Sequence, residues 1–182
     1  VLSSLVNADV SNVAVITKRN YASLEDHLGS GANWDLDHRN SRLRILSPFF
    51  KTENNNEAFM ARGRLDALRS VQVYIKSIKE DYVVLTNGNL IANVDFESVF
   101  SAHLESGADI TSVYAKDVIT SEQAQHATVF SINDDNRIVD VLLNPHISGA
   151  CNISLNMFVL SKEFLKNIVL ECASKSLYSF EQ

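Results

Sequence analysis

The chain has 182 residues, of which 46% are hydrophobic and 21% are charged, and its formal net charge is −6. This composition is typical of one globular domain, or one lobe of a larger protein, with a sizeable core, and it excludes a disordered or fibrous chain. The modest acidity, with lysine and arginine scattered rather than clustered, argues against nucleic acid or an anionic membrane as the main partner but is compatible with a free nucleotide.

The first elements in chain order are a helix, a strand and a second helix. The sequence begins without a methionine, inside a helix-like segment, which predicts a fragment or the ordered part of a longer chain. Residues 13–17 form an apolar run of strand length. Tyr21, Leu24 and Leu28 follow at helical spacing, and Gly29 closes this second helix.

A long polar excursion separates these elements from the next helix. Residues 30–56 are rich in Gly, Asn, Asp and Ser, and 43–47 is the strand candidate among them. From residue 63 to residue 78, apolar side chains recur every three to four positions, which predicts an amphipathic helix. This helix leads into a strand at 82–86.

The same alternation of helix and strand recurs once more. Asp95 caps a helix that runs to residue 107, and residues 109–115 form the next strand. Helices of this length between short apolar strands are typical of a parallel sheet covered on both faces. We therefore predict an α/β, Rossmann-like fold with a mostly parallel sheet and helices on both faces.

In the last third of the sequence, successive strands replace the alternation of helix and strand. Strand-like segments at 127–132 and 137–143 flank a polar turn, a further strand follows at 153–160, and a helix occupies 162–174. We predict that these strands form an antiparallel appendage on a parallel α/β core at 1–125.

The residues that follow the strand at 82–86 are the first candidate site, because ligands gather at the carboxyl ends of parallel strands. These residues are Asn87, Gly88 and Asn89. Metal-assisted phosphoryl transfer requires a carboxylate at such a place to hold Mg²⁺, whereas asparagine offers a neutral oxygen. The plain alternative is a turn, since Asn and Gly tolerate positive φ.

The start of the helix at 63–78 is a second candidate. Arg62, Gly63 and Arg64 open it, and Asp66 lies in its first turn. A glycine and two guanidinium groups at a helix start suit a polyphosphate cradle. An ordinary solvated helix start is the alternative, and the sequence alone does not decide between them.

Ser154 and Asn156 form a third candidate, on one side of the strand at 153–160. Such a pair suits hydrogen bonds to sugar hydroxyl groups. The alternative is a wet strand face, which polar residues commonly occupy.

Cysteine, histidine and hydropathy patterns give no sign of disulfides, a zinc site or a membrane segment. Cys151 and Cys172 lie in separate apolar contexts, so we expect reduced core thiols. The five histidines show no spacing that would build a zinc site. The sequence has no secretory signal and no apolar run of membrane-spanning length, so we expect a cytoplasmic protein.

Five segments together resemble the glucose-1-phosphate adenylyltransferases, or ADP-glucose pyrophosphorylases, of bacterial glycogen synthesis, and more narrowly their paralogous glycogen-biosynthesis subunit: residues 15–37, 61–68, 81–97, 105–111 and 154–165. The resemblance implies a nucleotide-diphospho-sugar transferase fold, ATP and glucose 1-phosphate as substrates, Mg²⁺, and a tetramer. It also makes the chain a partial nucleotidyltransferase domain in which 126–182 holds the sugar-side strands and the final helix. The family's glycine-rich triphosphate loop would precede Val1, and its left-handed β-helix would follow Gln182.

Residue by residue, the sequence departs from that family at charged positions. Gly88 is kept, but Asn89 stands where the family has the aspartate that holds Mg²⁺. The family's Glu-Lys-Pro, which grips the sugar phosphate, falls on Leu143, Asn144 and Pro145. These changes remove a metal ligand and a phosphate-binding ammonium group.

Other positions match the family or differ from it less sharply. Arg62, Gly63 and Asp66 match its nucleotide-binding helix start, and Ser154 matches the serine near the sugar. A family glutamine falls on Lys18.

From these departures we expect a regulatory or weakly catalytic subunit that is inactive alone and does not hold Mg²⁺ tightly. Its expected partner is a catalytic subunit or further copies of itself, with ATP or ADP-glucose as ligand. One rival hypothesis is an active nucleotidyltransferase whose metal carboxylate is Asp95. Another is a sugar-nucleotide sensor that binds ligand without chemistry.

Overall fold

The computed structural model describes residues 1–17, 21–38, 41–52 and 55–178. Within them the helices are α1 (Leu2–Asn7), α2 (Tyr21–Leu28), the 3-10 turn η1 (Ala32–Trp34), α3 (Arg64–Ser70), α4 (Gln72–Ser77), α5 (Phe96–Ser106), α6 (Ser121–Ala124) and α7 (Lys162–Ser174). The strands are β1 (Asn12–Ile16), β2 (Asp37–His38), β3 (Ser41–Leu46), β4 (Phe49–Thr52), β5 (Asn55–Met60), β6 (Tyr82–Leu85), β7 (Ile110–Ile119), β8 (Thr128–Ile132), β9 (Ile138–Leu143) and β10 (Gly149–Ser161).

The first sheet has the order β1-β3-β2. β1 and β3 are parallel, with Val13 opposite Leu43, whereas β2 and β3 are antiparallel. The two strands predicted at 13–17 and 43–47 are therefore confirmed as β1 and β3. The polar excursion also contains the β4–β5 hairpin, which the sequence pattern did not predict.

The second sheet is built around β10. β7 pairs with one edge of β10, β6 and β8 pair with the other edge, and β9 continues beyond β8. Every one of these pairings is antiparallel. β6 and β7 therefore run in the same direction, joined by the helical crossover α5, but β10 lies between them.

The α/β class is confirmed, whereas a mostly parallel sheet is not. Among the described strands, the parallel pair is β1 with β3. The antiparallel strands are also not an appendage, because β10 is the centre of its sheet. The reason is physical: alternating helix and strand indicates that two strands run in the same direction, but it does not reveal which later strand inserts between them.

Helices cover both faces of β10, as predicted. Successive side chains of a strand face opposite sides, so Met157 and Leu160 face different layers. Leu160, fully buried, packs with apolar residues of α3, α4 and α7. Met157 packs with Leu5 of α1 and Phe96 of α5. Each such buried side chain contributes about 1.5–3 kcal/mol to folding.

The helix predicted at 63–78 is broken in two at Val71. In a continuous helix the Val71 amide would bond the Ala67 carbonyl, but the Ser70 hydroxyl donates to that carbonyl at 2.6 Å. The Val71 amide bonds the Leu68 carbonyl instead, at 3.2 Å. A side-chain competitor for a backbone carbonyl thus ends α3 and starts α4.

The structure also describes the two cysteines and the apolar content of the helices. Cys151 and Cys172 are free thiols, each packed against a different apolar cluster. Within the described ranges, no helix is long and apolar enough to cross a membrane.

Candidate functional site

Arg64, the first residue of α3, joins two of the segments that the sequence singled out, the residues after β6 and the polar part of β10. Its guanidinium donates to the Asn87 Oδ1 atom at 3.2 Å and to the Asn156 Oδ1 atom at 2.8 Å. Asn87 belongs to residues 86–89, which follow β6 and which we call the β6 tip. The planar fork of arginine suits this role because it presents several N–H donors in fixed directions.

Asn156 lies at a β-bulge in β10, where the register with β7 shifts between Ser154 and Met157. Its φ is +54°, a left-handed conformation that asparagine tolerates better than most residues. The Ser154 hydroxyl accepts the Asn156 N–H at 3.1 Å. This hydrogen bond brings the predicted pair together. Ser154 is buried, so its side chain does not lie on a solvent-exposed strand face.

The start of α3 is organised around the carboxylate of Asp66. Asp66 is only 4% exposed, and its Oδ2 atom accepts the Arg62 backbone N–H at 3.0 Å. The Arg62 Nε atom lies 3.4 Å from the same oxygen, and Arg69 is 3.8 Å from the other. This geometry gives Asp66 a structural role that accounts for its burial.

The amides that a phosphate cradle at this helix start would offer are partly engaged within the chain. The Tyr178 carbonyl accepts the Leu65 N–H at 2.9 Å. The Arg62 guanidinium stacks on the Tyr178 ring, 3.5 Å from its centroid. Gly63 precedes the helix in extended backbone and supplies no side-chain cap.

The donor set at the β6 tip does not fit a magnesium site. Gly88 and Asn89 are exposed, and the tip has amide oxygens but no carboxylate. The bond from Arg64 to Asn87 also brings a guanidinium to the tip. Mg²⁺ is held in proteins by charged oxygens, and a neighbouring cation repels it.

Asp95, the rival metal ligand, is the N-cap of α5. Its Oδ1 atom accepts the Ser98 N–H at 3.2 Å, and its Oδ2 atom accepts the Ser98 hydroxyl at 2.6 Å. These bonds lower the pKa of Asp95 below its ordinary value of 3.8. The predicted cap is confirmed, and both oxygens already have donors.

Acidic and histidine side chains do converge elsewhere. In the part of the chain that the structure describes, Asp35, Asp37 and His38 are close enough to share a cation. All three are exposed; Asp35 follows η1, and Asp37 and His38 form β2, so none belongs to the β6 tip. His38 Nε2 is 2.7 Å from the Asp35 carboxylate, which accounts for their approach without an ion.

An open pocket of about 260 Å³ lies on the face of the second sheet and touches the bulge, and Ile110 and Val141 in its lining are exposed. We call it the β10 cavity. Its lining comes from β7, β8, β9 and β10: Ile110, Ser112, Thr128, Phe130, Ile138, Val141, Ser154, Asn156 and Phe158. None of these side chains is ionisable. Ser112 was not among the sequence candidates, because it lies inside a strand and not at a strand end. The sequence indicates it only as a polar residue within a largely apolar strand.

Asn144 does not join this cavity. It is exposed, has a φ of +47°, and donates its backbone N–H to the Ala127 carbonyl at 2.9 Å. It therefore forms the turn after β9. Lys18, which aligned with a family glutamine, lies outside the described residues.

This architecture, a β10-centred sheet between helical layers with polar loops at its strand ends, is that of a nucleotidyltransferase-like domain. Residues 1–172 match the nucleotidyl transferase family, and the chain belongs to that family. A curated relative, the glycogen biosynthesis protein GlgD of Geobacillus stearothermophilus, is 35% identical over 117 residues. That match covers 62% of this chain and 32% of the relative, so the chain spans about a third of the relative's length.

A solved structure supports the fold independently. The crystal structure of HddC from Yersinia pseudotuberculosis superposes with a TM-score of 0.68 at 15% identity. The match covers 99% of this chain and 67% of HddC. At this level of identity the likeness establishes the fold alone.

Proposed function

We propose that this domain belongs to a regulatory or weakly catalytic subunit of the glucose-1-phosphate adenylyltransferase type, which acts in glycogen biosynthesis in the cytoplasm. The observation that carries the proposal is that the β6 tip has no carboxylate and instead receives the Arg64 guanidinium, which donates to Asn87. The relation to GlgD supports the glycogen-biosynthesis context.

Mg²⁺ is the ion that the resemblance implies for this site. Mg²⁺ would neutralise charge on the transferring phosphate, and it needs carboxylate oxygens to stay there. Asn89 offers one neutral oxygen, and Arg64 is bonded two residues away, at Asn87. A guanidinium held at the β6 tip would disfavour a divalent cation there, because like charges repel. Both effects act against metal-dependent turnover.

The sugar-phosphate side lacks charge as well. Asn144 replaces the family's lysine and lies in an exposed turn outside the β10 cavity. Losses of single electrostatic contacts of this kind reduce rates by about 10²-fold or more. Two such losses together would leave little turnover.

The test is a direct assay of ADP-glucose formation. The purified protein, given ATP, glucose 1-phosphate and Mg²⁺, should form no ADP-glucose under conditions in which a catalytic glucose-1-phosphate adenylyltransferase does. Turnover by the protein alone that disappears in Asn89→Ala would refute the proposal. Turnover that disappears in Asp95→Asn would instead establish the rival enzyme.

The proposal also requires a partner. We expect the protein to assemble with a catalytic subunit, or with further copies of itself, and to change the catalytic subunit's kinetics. Sedimentation of the mixed and separate proteins tests assembly. Unchanged kinetics of the catalytic subunit at saturating concentrations of this protein would contradict a regulatory role.

A second candidate function is a sugar-nucleotide sensor, and the β10 cavity favours it. The cavity combines hydroxyl and amide groups with an apolar lining, which suits ligand binding without chemistry. Calorimetry should then give saturable binding of ADP-glucose without turnover. Absence of ADP-glucose binding would leave the purely structural subunit.

A further inference from the structure

The β6 tip contains the pair Asn87 and Gly88, the one place in the 182-residue sequence where glycine follows asparagine. Asparagine in this setting is chemically labile, because the backbone nitrogen of the next residue can attack the side-chain amide carbon. Glycine leaves that approach open, since it has no Cβ atom. Both the backbone and the side chain of the β6 tip leave this reaction accessible.

Few hydrogen bonds restrain the backbone around the attacking nitrogen. Asn87 and Gly88 lie between β6, which ends at Leu85, and α5, which begins at Phe96. Within the described part of the chain, the Gly88 N–H has no acceptor, and the Asn87 carbonyl accepts the Thr86 hydroxyl at 3.3 Å. Gly88 is exposed, and a Cβ added to it would meet no atom within 4 Å. Ring closure here therefore breaks no ladder hydrogen bond and displaces no packed side chain.

The Asn87 side chain is held by its oxygen and not by its nitrogen. Arg64 donates to the Asn87 Oδ1 atom at 3.2 Å and to the Asn156 Oδ1 atom at 2.8 Å, and we call these two bonds the Arg64 clamp. The Asn87 Nδ2 atom, which departs as ammonia in the reaction, has no partner among the described residues. The donor on Oδ1 also draws electron density away from the carbon that is attacked.

We propose that Asn87 is a deamidation site and that the Arg64 clamp captures the carboxylate that deamidation creates. The Gly88 nitrogen loses its proton and bonds to the Asn87 Cγ atom, the Cγ–Nδ2 bond breaks, and the departing nitrogen takes up a proton and leaves as ammonia. Water then opens the resulting cyclic succinimide. Cleavage of the new Cγ–N bond gives aspartate, and cleavage at the backbone carbonyl gives isoaspartate. The net reaction consumes one water, releases one ammonia and involves no oxidation.

The aspartate product changes one arm of the Arg64 clamp into an ion pair. A carboxylate oxygen replaces the neutral Asn87 Oδ1 atom beside the guanidinium, and a bond between two charged groups is stronger than one to a neutral amide oxygen. Because Arg64 neutralises the new charge, the carboxylate ties the β6 tip to α3 and does not create a site for a divalent cation. Deamidation of Asn87 does not depend on the proposed function, because it requires water alone.

The reaction is measured by peptide mapping with mass spectrometry after incubation of the full chain at neutral and at mildly alkaline pH. Asn87 should be converted to aspartate and isoaspartate, faster at the higher pH because the attacking nitrogen must lose its proton. Gly88→Ala should slow the conversion by at least about tenfold, which corresponds to about 1.4 kcal/mol in the barrier. Asn93, exposed in the same loop but followed by the β-branched Val94, is the internal control and should stay intact.

Capture is measured with Asn87→Asp, which supplies the product directly. Its urea midpoint at neutral pH and low ionic strength should exceed that of the unmodified protein, and the gain should be lost in an Arg64→Met background. Pairing with the guanidinium lowers the carboxyl pKa, so the gain should disappear as the pH falls through that lowered pKa. Asn93→Asp makes the same charge change without a guanidinium partner among the described residues and should leave the midpoint nearly unchanged.

A synthetic peptide of residues 84–91 is the unfolded reference for the rate. Intact Asn87 in the protein, under conditions that convert the peptide, would show that the fold protects this residue and would overturn the proposal. Equal rates in the unmodified protein and in Gly88→Ala would exclude attack by the Gly88 nitrogen. A stability gain from Asn87→Asp that persists in Arg64→Met would exclude capture by the clamp.

Discussion

Removal of the Arg64 guanidinium should destabilise the domain by separating α3 from the bulge in β10. In Arg64→Met the side-chain stem and its packing are kept, while both hydrogen bonds, at 3.2 Å to Asn87 and 2.8 Å to Asn156, are lost. A hydrogen bond to a charged group contributes roughly 1.5–3 kcal/mol. Because Arg64 is partly exposed, we take the lower end for each bond and expect a loss of about 3 kcal/mol in the free energy of unfolding.

The assay is urea unfolding followed by circular dichroism, with a double-mutant cycle that isolates one bond. Asn156→Gly removes the acceptor while allowing the φ of +54°, and the coupling between it and Arg64→Met should be about 1–1.5 kcal/mol. Lys76→Met, at an exposed cation on α4, should change the stability by less than about 0.5 kcal/mol. Additive effects of Arg64→Met and Asn156→Gly would show that the clamp does not exist in solution.

Three further predictions concern other parts of the fold. His103 is 4% exposed, and burial lowers its pKa below 6.5, so folding favours the neutral form. The free energy of unfolding should therefore fall as the pH drops below about 6.5. Urea titrations at successive pH values should show this dependence, and His103→Gln should reduce it. The Asp95 pKa should be below 3.8 by NMR titration and should rise in Ser98→Ala; no rise would contradict the side-chain bond in the cap. Gly31 has a φ of +88°, and an added Cβ would lie 2.9 Å from the Leu43 Cβ atom of β3, so Gly31→Ala should lower the free energy of unfolding by about 1–3 kcal/mol in urea. Gly88→Ala, whose added Cβ meets open space, should be nearly neutral. Equal effects of the two substitutions would contradict this geometry.

The sequence predicted helices well where the cap residue and the apolar spacing that define the helix lie within the same short segment. The α7 helix was predicted with its observed bounds because its determinants are local: its apolar spacing is regular, and in the structure Ser161 caps it. The α5 cap at Asp95 was predicted for the same reason. In both helices a side chain satisfies free backbone amides next to it in sequence.

Features that depend on distant partners were not predictable in the same way. The central place of β10 depends on strands far away in sequence, and Arg64 bonds Asn156 across 92 positions. The break at Val71 depends on one serine hydroxyl reaching one carbonyl. The pattern of residue types showed that Ser154 and Asn156 were polar, but not that an arginine would hold the bulge between them.

The late position of β10 in the chain also constrains how the protein folds during synthesis. β6 and β7 both depend on β10 for their hydrogen bonds, so neither is paired in the second sheet until residues 149–161 have left the ribosome. Until then, two nearly complete strands expose unpaired edges, which is the condition that favours aggregation and chaperone binding. Closing such long loops is slow, so the pairing of β6 and β7 waits for a segment far later in the sequence, whereas the β1-β3-β2 sheet does not depend on it.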